Sequence, residues 1–226
     1  MDKRSARRWA GVLLGVVSAA PAMGAAPCPE EQTRAQAARA RVEQEWPLRG
    51  NDALTGLVRE FVTRLAWSAG VEAKSNWRVR VVRDYSVNAF SIGDGYIYVT
   101  EGALQAAANE AELAAILAHE MGHDLAGHFC PRSPGEAIGG AGWSAANPSG
   151  QVGLSHFGSL RQVLDPAKER EAEQIADRIL QKAGYPATDP RALVLRGTAG
   201  ARVPDGASAQ DGGPLERIQA LLAQGR

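Results

Sequence analysis

Residues 109–123 read NEAELAAILAHEMGH, and this stretch decides both the fold and the chemistry expected of the chain. Asn109 followed by Glu112 three positions later has the form of a capping box. Leu113, Ile116, Leu117 and Met121 recur at helical spacing among alanines, so the segment reads as a buried helix. On that helix His119 and His123 stand four residues apart, one turn from each other on the same face, and both imidazoles can reach one ion. Glu120 lies about a third of a turn away. It can therefore accept a hydrogen bond from a metal-bound water without occupying the coordination site, the geometry that general-base hydrolysis needs.

Zinc suits this pattern, one ion per chain, because it accepts imidazole nitrogen, keeps an open position and lowers the pKa of a bound water to about 7. The bland alternative is that two histidines and a glutamate share this spacing by chance. A third ligand is required, and its identity sets the subclass. A histidine six residues past the second would mark one large group of zinc peptidases, but that position is Phe129 and the associated glycine position is Ala126, which excludes it. His128 lies five residues past His123, about 140° round a continuing helix, and is expected to face elsewhere as a polar or packing residue. Farther on, Glu173 and Asp177 share a helix face, so that Glu173 can complete a two-histidine, one-carboxylate site and Asp177 can orient a ligand histidine. Against this stands a solvated acidic face pairing with Lys168 and Arg170.

Outward from the motif, Glu30–Trp46 and Asp52–Ala69 show helical spacing, the second with Leu57, Val58, Phe61, Val62 and Leu65 as its stripe. Trp77–Val82 and Gly95–Thr100 alternate as strands around a Gly93-Asp94-Gly95 turn, Tyr96 and Tyr98 on one face, Ile97 and Val99 on the other. Asp165 and Pro166 start a helix that Gly184 and Pro186 stop, Asp189 and Pro190 start a shorter one, and Leu215–Leu222 reads as a last amphipathic helix. Residues 130–157, rich in Gly, Pro and Ser, read as a flexible loop or lid. The expected fold class is α+β: a mostly helical domain over 25–226 with a small antiparallel sheet whose edge strand borders the cleft.

Lys3, Arg4, Arg7 and Arg8 precede an apolar run from Trp9 to Ala20 and small residues around Ala22 and Gly24, the order of a secretory signal peptide over 1–24. A soluble periplasmic protein is expected after its removal. The chain balances 25 basic against 25 acidic residues, so no nucleic-acid-binding face is implied. Two cysteines are present, Cys28 and Cys130; in an oxidising compartment they can pair, the alternative being two unpaired thiols.

Taken together, Asn88-Ala89-Phe90, Gly93, Gly95, the strand Tyr96–Val99, His119–His123, and Glu173 with Ala176 and Asp177 resemble the gluzincin metallopeptidases related to the CaaX prenyl protease, which include HtpX, BepA and Oma-type enzymes. The resemblance spans roughly residues 85–185. It implies Glu173 as third zinc ligand, Asp177 as its supporting partner, and a zincin-like domain that binds peptide as an added strand along Tyr96, Ile97, Tyr98 and Val99. A His-Pro pair common in the family is absent, since Gly213 precedes Pro214, which leaves Arg217 without its usual context. The expected function is a zinc endopeptidase for unfolded or misassembled envelope proteins, with possible assembly partners. The competing expectations are a zinc-containing chaperone or adaptor with little turnover, and a hydrolase of small amides.

Overall fold

The computed structural model describes residues 28–71, 76–130, 166–190, 218–220 and 223. The expectations for residues 1–24, for 131–157, for the helix beyond Pro190 and for Gly213, Pro214 and Arg217 lie outside these residues. The elements run α1 (Glu31–Glu45), α2 (Ala53–Ala69), β1 (Arg78–Val82), β2 (Ala89–Ser91), β3 (Tyr96–Thr100), α3 (Glu101–Ala106), α4 (Glu110–Leu125) and α5 (Pro166–Lys182). Among the described residues no helix is long and apolar enough to cross a membrane.

Helix α2 begins where the Asp52 carboxylate accepts the Thr55 N–H at 2.9 Å, which satisfies one of the orphan donors of the first turn. It ends at Gly70 in the left-handed region, φ 69°, a conformation that suits glycine. Its buried face, Leu54, Val58, Phe61, Val62 and Leu65, follows the helical repeat. Helix α4 starts at the expected N-cap, with the Asn109 side chain accepting the Glu112 N–H at 3.0 Å, while Glu112 reaches one residue farther back than in a capping box and accepts from the Ala108 N–H at 2.8 Å.

The sheet is mixed, with strand order β1-β3-β2, and so corrects the antiparallel sheet expected. β1 pairs parallel with β3, Arg78 opposite Tyr96 and Val82 opposite Thr100. β2 pairs antiparallel with β3 through the tight turn at Gly93, Asp94 and Gly95, all at positive φ. Because β3 enters between its two partners, its backbone groups are used on both sides. The peptide strand expected along Tyr96–Val99 therefore has no edge to join there. The edge nearest the histidine helix belongs to β2, a three-residue strand buried throughout and so without the alternation that reveals a strand in sequence.

Side chains of β3 divide the core into two. Ile97 and Val99 join α2, α4 and α5 in the main cluster, while Tyr96 and Tyr98 pack with Phe90, Trp46 and Val42 beneath α1. Phe90 stacks on Tyr98 at a centroid distance of 5.0 Å. The sheet is thus a middle layer between α1 and the three longer helices.

Helices α4 and α5 approach closely at Gly122. A Cβ on Gly122 would lie 2.5 Å from the Ala172 carbonyl oxygen, below any van der Waals contact between carbon and oxygen. Glycine here lets the backbones touch, and that contact sets how α5 lies across the two histidines. Gly122→Ala is expected to force the helices apart, at a cost of about 1–3 kcal/mol. For a domain of this size that lowers Tm by about 2–4 °C per kcal/mol, which calorimetry would register. A melting temperature equal to wild type would refute the close approach.

Candidate metal centre

His119, Glu120 and His123 are all buried on α4. The two imidazoles aim their Nε2 atoms at one point, 3.1 Å apart. Opposite them stands Glu169, near the start of α5, with one carboxylate oxygen 3.1 Å from His123 Nε2 and the other 3.4 Å from His119 Nε2. These three groups are of a kind and proximity that can hold a metal ion.

Two tests of fit favour zinc. First, tetrahedral bonds of about 2.0–2.1 Å put ligand atoms about 3.3 Å from each other, the scale of the three separations here. Second, the Glu169 oxygen nearest His123 is buried without a hydrogen bond, so the proximity alone does not satisfy it. Two buried nitrogens and a carboxylate pointed at one spot make the two-imidazole, one-carboxylate donor set that zinc accepts while keeping an open position.

Glu173, the third ligand expected from the sequence, is not in this group. It lies one turn farther along α5, close enough for its charge to act on His119. Asp177, expected to orient a ligand, is exposed to solvent. The reason is helical drift: each four-residue step turns about 40° beyond a full circle. Glu169 lies beside the buried stripe of Ala172, Ala176 and Leu180, while Glu173 and then Asp177 rotate away from it. Tyr96, Ile97, Tyr98 and Val99 lie in the two cores and line no part of the centre.

Electrostatics follow from this burial. Burial pushes the Glu120 carboxyl above its ordinary range, opposed by the neighbouring His119 and His123 and by Ser91, whose hydroxyl donates to Glu120 Oε2 at 3.0 Å. Burial also acts upward on Glu169, but the close approach and charge of both histidines outweigh it and hold the carboxyl well below its usual range. For His119 burial acts downward, and the hydrogen bond its ring N–H gives to Glu169, with the charges of Glu120, Glu169 and Glu173, reverses it, so the net shift is upward.

Two residues at the centre were missed or misplaced in the sequence. Ser91 is one, carried on the short β2. His128 is the other: its ring touches His123 Nδ1 to Nδ1 at 2.9 Å. Helix α4 stops at Leu125, and Gly127 at φ 67° turns the chain back. The Gly127 N–H bonds the Asp124 carbonyl and the His128 N–H bonds the His123 carbonyl, the paired contacts of a Schellman motif with glycine at its left-handed position. The 140° offset holds only for a continuing helix, and Gly127 was the signal that this one ends. Just beyond, Cys130 is disulfide-bonded to Cys28, Cα–Cα 5.8 Å, and Asp124 accepts the Gly95 N–H of the β2–β3 turn at 2.8 Å.

Known proteins resemble this chain in sequence. The model described as Peptidase family M48 matches residues 52–224. A putative beta-barrel assembly-enhancing protease of Vibrio cholerae is 28% identical over 156 residues, covering 62% of this chain and 32% of that protein. Mitochondrial metalloendopeptidase OMA1 of Arabidopsis thaliana is 42% identical over 127 residues, 51% of this chain and 24% of that protein. The protein of the same name in Schizosaccharomyces pombe is 44% identical over 52 residues, 23% of this chain and 15% of that one. The chain thus spans about a third or less of the length of these relatives.

Proposed function

We propose, from the premise that this chain belongs to peptidase family M48, that it is a zinc-dependent endopeptidase cutting unfolded or misassembled polypeptide. The observation that carries this is the convergence of His119 Nε2, His123 Nε2 and the Glu169 carboxylate on one buried point. When bound there, zinc supplies a Lewis acid that polarises the scissile carbonyl and makes water a nucleophile near neutral pH.

The protein's own groups do the rest. His119, His123 and Glu169 would hold the ion. Glu120 accepts the proton of the attacking water and delivers it to the leaving amine, a task suited to a buried carboxylate whose proton affinity is raised. Ser91 fixes the orientation of that carboxylate. The outer edge of β2, beside α4, has no strand partner among the described residues, and an extended peptide can add to it by main-chain hydrogen bonds. Recognition through the main chain makes side-chain specificity loose, as cleavage of unfolded chains requires.

The setting proposed is an exported, oxidising compartment, with quality control of envelope proteins as the role. The Cys28–Cys130 bridge supports it, because such bonds persist in oxidising surroundings. So does the likeness to a relative whose name describes beta-barrel assembly enhancement.

Metal removal tests the proposal. Purified protein is expected to carry one zinc per chain and to degrade casein. A chelator should abolish that cleavage, and added zinc should restore it. Undiminished cleavage by protein shown to be free of metal would overturn the mechanism.

A further inference from the structure

We propose that His128 and Glu171 form a relay that sets the tautomer of His123 and so presents its Nε2 to the metal. The inference rests on the metal-centre reading above and extends it to two residues outside the ligand set. His128 is fully buried. Its Nδ1 lies 2.9 Å from His123 Nδ1, and its Nε2 lies 3.4 Å from the Glu171 carboxylate, which stands half-exposed on α5.

Two ring nitrogens at 2.9 Å share one proton, so one donates and the other accepts. Were His128 the donor, His123 would offer a lone pair at Nδ1 and carry its proton on Nε2, facing the other ligands with an N–H and unable to bind an ion. Glu171 decides against this. A carboxylate only accepts, so it favours a proton on His128 Nε2, which leaves a lone pair on His128 Nδ1. That lone pair then accepts the His123 Nδ1–H, and the lone pair of His123 is left on Nε2, aimed at His119 and Glu169. Ligand histidines in metal sites generally donate their second N–H to a carboxylate, carbonyl or water, and losing such a partner costs about 10–100-fold in affinity. Here a neutral imidazole takes that place, itself oriented by a carboxylate from the helix that brings Glu169.

The test uses the full chain in its zinc-loaded form. Nitrogen-15 NMR of labelled histidines is expected to show His128 neutral, protonated on Nε2 and bare on Nδ1. A proton on His128 Nδ1 would overturn the proposal outright. Zinc affinity, measured by competition with a chelator, should fall about 10–100-fold in His128→Leu. It should return to within a few-fold of wild type in His128→Asn, whose Oδ1 can accept in place of Nδ1. Equal affinity in the two variants would refute the relay, because an effect of packing alone would not separate them. Glu171→Ala changes a half-exposed side chain and tests the relay without disturbing the core. With the zinc removed, so that no ion fixes His123, it should leave His128 as a mixture of both tautomers where wild type keeps its proton on Nε2, and a spectrum equal to that of metal-free wild type would count against the assignment. Failure of wild type to bind zinc would instead sink the metal-centre reading, so the two failures are distinguishable.

Discussion

Replacing Glu120 by Gln is expected to leave zinc affinity unchanged while cleavage of an unfolded substrate falls about 10²–10⁴-fold, the share a positioned general base contributes. The substitution is close to isosteric and keeps an oxygen able to accept the Ser91 hydrogen bond, so the packing of the buried side chain persists. What disappears is the capacity to take a proton. Nothing else described at the centre can replace it: His119 and His123 direct their Nε2 atoms at each other and at Glu169, and the Glu169 carboxyl is held far below the range in which it would accept a proton. The measurement is kcat on a fluorogenic unfolded protein, with zinc content determined on the same sample. Cleavage within a few-fold of wild type would remove Glu120 from the mechanism.

The second large effect concerns which carboxylate holds the ion. Glu169→Ala is expected to weaken zinc binding by more than about 100-fold, beyond the 10–100-fold typical of losing a residue that only supports a ligand. Glu173→Ala should change affinity by less than about tenfold, since a partly exposed charge acting without ligation contributes about 1 kcal/mol or less. Asp177→Ala should have no measurable effect. Chelator competition on the three variants ranks them directly. If Glu173→Ala gave the largest loss, α5 would lie a full turn from where its packing against Gly122 sets it.

Much of this was legible beforehand where local physics speaks unambiguously. The cap at Asn109, the stripe of α2 and the spacing of His119 and His123 are short-range patterns, and α2 and α4 follow them. The third ligand was a different matter. Glu169, Glu173 and Asp177 recur at the same interval, so the sequence offers three equivalent acids. Only the crossing of α4 and α5 at Gly122 and Ala172 brings one of them, Glu169, beside both imidazoles. The parallel pairing of β1 with β3 was hidden for a similar reason: a fully buried three-residue strand gives no alternation, and without β2 the other two strands read as neighbours in a hairpin. His128 was misplaced because a periodic extrapolation was carried one turn past the glycine that ends it.

The three groups that converge on one point come from α4 and from α5, and the chain between them runs from Leu125 to Pro166. An unfolded chain does not hold these groups together, so an ion bound by them would have little affinity for it and would favour the native state. By mass action, free zinc at 1,000 times its dissociation constant adds about 4 kcal/mol to the unfolding free energy, a large part of the 5–15 kcal/mol of an ordinary domain. On the proposed reading, scarcity of the ion would therefore do more than silence the enzyme: it would raise the fraction of molecules open to degradation by other proteases, and the lifetime of the protein would follow the supply of its metal.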